Sequence, residues 1–422
     1  MTPVSGPVPR PAPLWSAAGL AAGPLVALGF ARFAYALVLP AMVRQLGWSL
    51  ATAGAMNTAN GLGYLLGALA AAPLGRRWGL AHVFLVSLVV TVVAVLGTGA
   101  TSSTFVLAVA RLVSGVGGGV VFVVGGGLVA EASETDAPRR ASVLLGTYFG
   151  GAGVGIVVSA WLVPRILATW APDLAWRVAW KALGVVSVVA LAVAVPAVRR
   201  LAALPRAREQ RARAARGRTP LKMLRPLLVA YGAYGLGYIV YMTFVVALLE
   251  HHGAGTLEIT WFWTALGAAA ALSAFLWGGV VGRASGGRGV AAAMLVVLAG
   301  TMLPLWSSAA IWALLSALLF GSAFLAVVTA VTSVARRNLP AEGWTAALGA
   351  LTVMFGVGQS IGPVAAGLLA PTAGGIQGGL LVSALVLALA AAIAWAQRDA
   401  GPARPRPLDR ASDPLFEKGC NQ

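Results

Sequence analysis

The chain has 422 residues, of which 59% are hydrophobic types and only 10% are charged, a composition that excludes an ordinary water-soluble fold of two or three domains. A single cysteine, Cys420, excludes intrachain disulfides and cysteine-built zinc or iron–sulfur sites. Thirty Lys and Arg against 12 Asp and Glu leave a net charge of +18, which points to nucleic acid in a soluble chain and to topology in a membrane chain.

A proline-rich leader, residues 1–13, comes first. The apolar run behind it continues past Pro24 and Arg32 to about Pro40, too long for a signal-peptide core, and reads as a retained span. A hydrocarbon core about 30 Å thick takes roughly 20 residues of helix, and runs of that kind predict an all-α membrane protein with twelve transmembrane helices. They lie near 14–42, 49–72, 80–99, 103–130, 141–168 and 175–198, then near 223–250, 258–282, 289–306, 309–335, 343–370 and 376–397. Two six-helix bundles follow, at 14–198 and 223–397, joined by a basic linker at 199–222 and followed by a tail at 398–422. With the N-terminus in the cytoplasm, 24 of the 30 basic residues fall in inside segments. That asymmetry predicts both termini inside a bacterial inner membrane, and it removes the reason to expect nucleic acid as a partner.

Basic residues at membrane depth cost about 2.5 to 3.5 kcal/mol on insertion scales and need an explanation. Span 1 holds Arg32, with Tyr35 one turn on, and span 4 holds Arg111. The functional reading is an anion-binding pair, because guanidinium groups match carboxylate or phosphate with paired hydrogen bonds. The alternative has Arg111 bonding backbone carbonyls across a Gly-rich helix contact. In span 2, Asn57, Asn60, Gly61 and Tyr64 recur at i, i+3, i+4 and i+7 and share one face; a cavity wall and interhelical bonding are the two readings. Span 7 carries Tyr231, Tyr234, Tyr238 and Tyr241 on one stripe that descends into the bilayer interior, where each hydroxyl needs a partner. Tyr148 in span 5 and Gln359 in span 11 complete the expected binding set. Gly151 and Gly155, like Gly358 and Gly362, have the spacing that lets helices approach closely.

Shifting the sequence on itself by about 206 residues aligns Gly29 with Gly235, Tyr35 with Tyr241, Arg77 with Arg283 and Gly115 with Gly321. A shift of six spans keeps both copies in one orientation, the parallel repeat used for alternating access around a midplane site. With that layout, the chain resembles the major facilitator superfamily. Arg111-Leu-Val-Ser-Gly115 is similar to its span-4 motif, and Trp176-Arg177 to its span-6 start. Leu74-Gly75-Arg76-Arg77-Trp78-Gly79 keeps the basic pair of the loop between spans 2 and 3 but lacks its aspartate. Gly358-Gln-Ser-Ile-Gly362-Pro363 looks like the antiporter motif, displaced from span 5 to span 11. Arg32-Phe-Ala-Tyr35, Asn57-Thr-Ala-Asn60 and Gly63-Tyr64-Leu-Leu-Gly67 resemble the YbfB/YjiJ-like branch. The resemblance implies transport by alternating access. Conformational gating is expected at Arg76, Arg77, Arg283, Gly115, Gly151, Gly155, Gly358, Gly362 and Pro363.

No Asp or Glu lies deep in a span, and His82, His251 and His252 are scattered over opposite sides. No catalytic residue, metal site or cofactor is therefore expected, and the chain is not read as an enzyme. The expectation is a monomeric carrier of a small organic solute, leaning toward an anion, with any coupling proton arriving on the substrate. An efflux antiporter for drugs or metabolites and a membrane sensor with a transporter fold are the alternatives.

Overall fold

A computed structural model describes residues 14–133, 138–203, 221–339, 341–370 and 374–399. The leader, most of the linker and nearly all of the tail lie outside the described residues.

The described residues form twelve long helices. They are α1 (Leu14–Leu46), α2 (Leu50–Trp78), α3 (Leu80–Thr98), α4 (Thr104–Ala132), α5 (Pro138–Thr169) and α6 (Pro172–Ala202). After a 3-10 turn at Leu221–Leu224 come α7 (Arg225–His251), α8 (Thr256–Arg283), α9 (Arg288–Trp306), α10 (Ala310–Asn338), α11 (Ala341–Leu369) and α12 (Gly375–Trp395). Eleven of them are long and apolar enough to cross a membrane. The twelfth, α2, is 29 residues long, and its asparagines lower its hydropathy. Because the helices alternate in direction, α1 begins and α12 ends on the side that carries the linker, here termed the linker side; the opposite face is the far side.

Local chemistry sets the turns. Gly47 closes α1 in the left-handed region at φ 64°, a conformation that costs glycine little. Ser49 then caps α2 by accepting the Thr52 amide at 3.1 Å. Within α1, residues Leu25–Phe33 form a π-helix beginning at Pro24, and its last bond runs from the Ala34 amide to the Gly29 carbonyl, five residues back, at 2.9 Å. Proline supplies no amide hydrogen to an α-helical ladder, and such wide turns recur at functional positions.

Packing follows a two-fold pattern. In the first bundle α1 packs on α5 and α6, α2 on α4, and α3 on α4 and α6; in the second α7 packs on α11 and α12, α8 on α10, and α9 on α10 and α12. The bundles meet through α2 against α11 and α5 against α8, a pair of seams that the same two-fold exchanges. This is the 6+6 arrangement expected from the internal repeat. Valines of α3 and α6 and leucines of α12 (Val93, Val189, Leu385) are exposed on the outside, where lipid and not water is the solvent. The helices α1 and α7 are the most buried, and they carry Arg32 and the row Tyr231, Tyr234, Tyr238 and Tyr241 in the interior.

Candidate functional site

Arg32 lies near the middle of α1, at the end of the π-helix, and is 3% exposed. One of its terminal nitrogens donates to Gln359 Oε1 of α11 at 2.6 Å, and the other reaches Asn60 Oδ1 of α2 at 3.5 Å. Its guanidinium lies 5.3 Å from the Tyr64 ring centroid. Tyr238 of α7 donates to the same Gln359 oxygen at 3.2 Å. One arginine thus gathers α1, α2, α7 and α11 near the middle of these helices, and the Arg32–Gln359 bond crosses between bundles. Gln359 Nε2 is buried and has no hydrogen-bond partner among the described residues.

On the linker side of this cluster lies a small cavity. Arg32 and Gln359 form its inner end, Tyr64 and Phe122 one wall, and Tyr231, Tyr234, Tyr238, Phe324 and Phe355 the other. Toward the far side, the bundles are tied directly. Asn57 donates to Thr243 at 2.5 Å and Thr58 to the Ser360 carbonyl at 2.6 Å. Trp263 donates to Ser159 at 3.2 Å, and Arg44 pairs with Glu250 at 2.8 Å.

Of the residues expected from the sequence to bind substrate, Arg32, Tyr64, Tyr234, Tyr238 and Gln359 line the cavity, and so does Tyr231. The others are placed behind it. Arg111 donates to the Ala31 carbonyl of the π-helix and stacks 4.6 Å from the Tyr35 ring centroid and 5.6 Å from that of Trp180. Asn60 turns its amide nitrogen to the Arg111 carbonyl and Ser114, both at 3.1 Å. Tyr35 bonds the Ala53 carbonyl and Tyr148 the Val121 carbonyl, each at 2.8 Å, while Tyr241 shares a 2.5 Å bond with Ser316. These groups brace helix contacts and leave Arg32 as the one arginine lining the cavity. Sequence reading did not single out Phe324 and Phe355, since nothing separates them from lipid-facing aromatics before the helices are assembled.

The expected gating residues fall into two groups. Gly115, Gly151, Gly155, Gly358 and Gly362 sit at contacts inside one bundle, against Asn60, Ala21, Leu25, Gly232 and Leu236 respectively. Only Pro363 lies on a seam between bundles, its carbonyl against Gly54. Gly54, Gly153 and Gly267 also make close contacts on the two seams, although the sequence pattern did not distinguish them. Arg76 and Arg77 end α2, with Arg77 5.4 Å from the Trp78 ring centroid, and Arg283 ends α8.

Two six-helix bundles around a buried, aromatic and cationic cavity, tied together on its far side, have the layout of a membrane carrier. Residues 24–395 match the family described as "Uncharacterised MFS-type transporter YbfB", and the chain belongs to that family of the major facilitator superfamily. It is a multi-pass membrane transporter and not an enzyme. No curated protein matches it in sequence. Among solved structures it is similar to a bacterial homologue of the human lysosomal transporter Spinster in an inward-facing, unoccupied conformation. That match has 16% identity and a TM-score of 0.67 over 91% of this chain and 96% of that one. A point mutant of the nucleoside transporter NupG gives 12% identity and a TM-score of 0.65, covering 90% and 99%.

Proposed function

We propose that this transporter carries a small organic anion by alternating access, with Arg32 as the countercharge at the midplane. The observation that carries the reading is the placement of Arg32: buried, lining the cavity, and paired with neutral amides and phenols instead of a carboxylate. A buried cation without a counterion is costly, and an anionic substrate would remove that cost with two charge-assisted bonds. Gln359 Nε2, unpaired beside it, is a further donor for the same anion. Because Arg32 and Gln359 belong to different bundles, an anion between them would connect its own binding to the movement of one bundle against the other.

The charge distribution supports a cytoplasmic linker side in the inner membrane, which puts the cavity on the cytoplasmic side of Arg32. Every carboxylate of the chain lies outside the middle of the spans. A coupling proton therefore travels on the substrate, or the substrate follows its own gradient. The seam contact at Gly54–Pro363, with the Asn57–Thr243 bond, acts as the far-side closure, and one chain suffices for the cycle.

The test is binding of carboxylic acids to the purified protein, read as a rise in unfolding temperature. Arg32→Gln should abolish binding of acidic ligands, while Arg32→Lys, which keeps the charge without the planar fork, should retain part of it. Undiminished affinity in Arg32→Gln would sink the proposal. Counterflow of labelled ligand in proteoliposomes separates a carrier from a sensor.

A further inference from the structure

The wall facing Arg32 has a specific chemistry. Tyr231 and Phe355 stand 4.7 Å apart with planes 18° from parallel, Tyr234 and Tyr238 5.2 Å apart at 13°, and Tyr238 and Phe355 5.4 Å apart at 16°. Phe324 continues the set, 6.4 Å from Tyr238 at 17°. Four aromatic side chains from α7, α10 and α11 thus share nearly one orientation with Tyr238 along the cavity. On the opposite side, Tyr64 and Phe122 meet at 53°, so the common orientation belongs to one wall. Its members are held in place: the Tyr234 hydroxyl donates to the Phe324 carbonyl at 2.7 Å, and Tyr238 is anchored on Gln359. A lipid-like or branched aliphatic substrate gains nothing from parallel ring planes. Because these rings stack on one another, a flat π-system entering the cavity meets their edges or the end of the stack, and edge-to-face or offset aromatic pairs contribute beyond the area that they bury.

The polar end is equally restrictive. Of the two buried arginines among the described residues, Arg32 faces the cavity while Arg111 is committed to the Ala31 carbonyl and the Tyr35 and Trp180 rings. A single guanidinium with the Gln359 amide beside it matches one carboxylate. The aromatic wall extends from that end toward the linker side, so the ligand is charged at one end and flat along the rest. We infer that the substrate class is an aromatic monocarboxylate, its carboxylate on Arg32 and Gln359 and its ring against the Tyr231–Tyr238–Phe355 wall. This rests on the anion reading above and names the body to which the anion is attached.

Three probes separate the parts: benzoate, cyclohexanecarboxylate, which has the same charge and a similar volume without a flat ring, and benzamide, which has the ring without the charge. The full-length protein in detergent is titrated with each, following unfolding temperature and intrinsic fluorescence. Benzoate should bind about 2- to 12-fold more tightly than cyclohexanecarboxylate, the range expected of one aromatic pair, and far more tightly than benzamide. Phe355→Leu should erase the benzoate preference while cyclohexanecarboxylate still binds, and Phe355→Tyr should restore it. Equal affinities for benzoate and cyclohexanecarboxylate in the unmodified protein would overturn the aromatic assignment and leave the anion reading standing. Benzamide binding as well as benzoate would overturn the anion reading, and this inference with it. So would failure of all three to bind at millimolar concentration.

Discussion

Gly54→Ala offers a sharp test of how the bundles close. A Cβ at Gly54 of α2 would lie 2.1 Å from the Pro363 carbonyl oxygen of α11 and 2.6 Å from its carbon. Ordinary contact begins near 3.4 Å, so the seam must open by about 1.3 Å, against backbone that cannot rotate aside. Overpacking of this kind costs about 1–3 kcal/mol. In a single-state protein that cost would appear as lost stability, whereas an alternating carrier can avoid it by parting the bundles on the far side. At about 2 kcal/mol the equilibrium moves roughly 30-fold, so a far-open state populated at about 1% would rise to about a quarter. The assay is pulsed spin-label distance measurement between Gln45→Cys and Leu257→Cys on the far side, in a Cys420→Ser background. Gly63→Ala is the control, because its Cβ would lie equally close, 2.1 Å, to the Leu112 carbonyl inside one bundle. It should lower the unfolding temperature and leave the distances alone, and Gly278→Ala, in open space, should do neither. A folded Gly54→Ala protein with unchanged distances would refute the claim that this seam separates during the cycle.

Further outcomes follow from the same contacts. Arg111→Met should lower the unfolding temperature, through loss of the Ala31 carbonyl bond and the Tyr35 and Trp180 stacking, without changing the preference for acids over amides; a changed preference would place Arg111 in the site. The Arg44–Glu250 pair is exposed, with 67% and 28% of the two side chains accessible. A double-mutant cycle on far-side closure should therefore give about 0–1 kcal/mol, shrinking with salt. Asp399 is held below the ordinary carboxylate value, first by the Gly286 amide and then by Asn338 and Arg337. Its folded-state pKa being depressed, its contribution is present above the unfolded pKa and is lost as pH falls through the folded one. Asp399→Asn should thus lower the unfolding temperature at pH 7, with a deficit that shrinks in acid; an equal deficit in acid would assign its role to shape and not charge.

The fold could be read from the sequence because its determinants are periodic. Apolar runs of bilayer length and a constant offset between copies place every helix within a few residues and set the 6+6 layout. The site was legible only in part, for a reason visible at Tyr148 and Tyr234. Both are buried tyrosines on Gly-rich helices, and both donate to a backbone carbonyl of a neighbouring helix. Helical spacing gives the face on which a residue lies but not the neighbour that the face meets, so the wall residue and the brace looked alike. Gly54 and Gly115 show the same limit, since both mark close approach and only assembly reveals which approach lies between bundles. Arg32 could be read because a charge at midmembrane is conspicuous wherever it points.

The wide turn in α1 has a consequence for what insertions and deletions the chain can accept. Five-back bonding takes up one extra residue without lengthening the helix by a full α-helical step, so the segments on either side hold independent angular phases. The first, Leu14–Leu20, faces α5 and α6, and the last, Tyr35–Leu46, faces α7 of the other bundle as well as α5 and α6. Removing one residue between them would let the wide turns close to α geometry and leave the two ends near their present phases, whereas adding one would turn everything beyond by about 100° and swing Tyr35 away from Ala53. The stretch can therefore lose a residue more readily than gain one, and what the wide turns set is the aim of Arg32 within them.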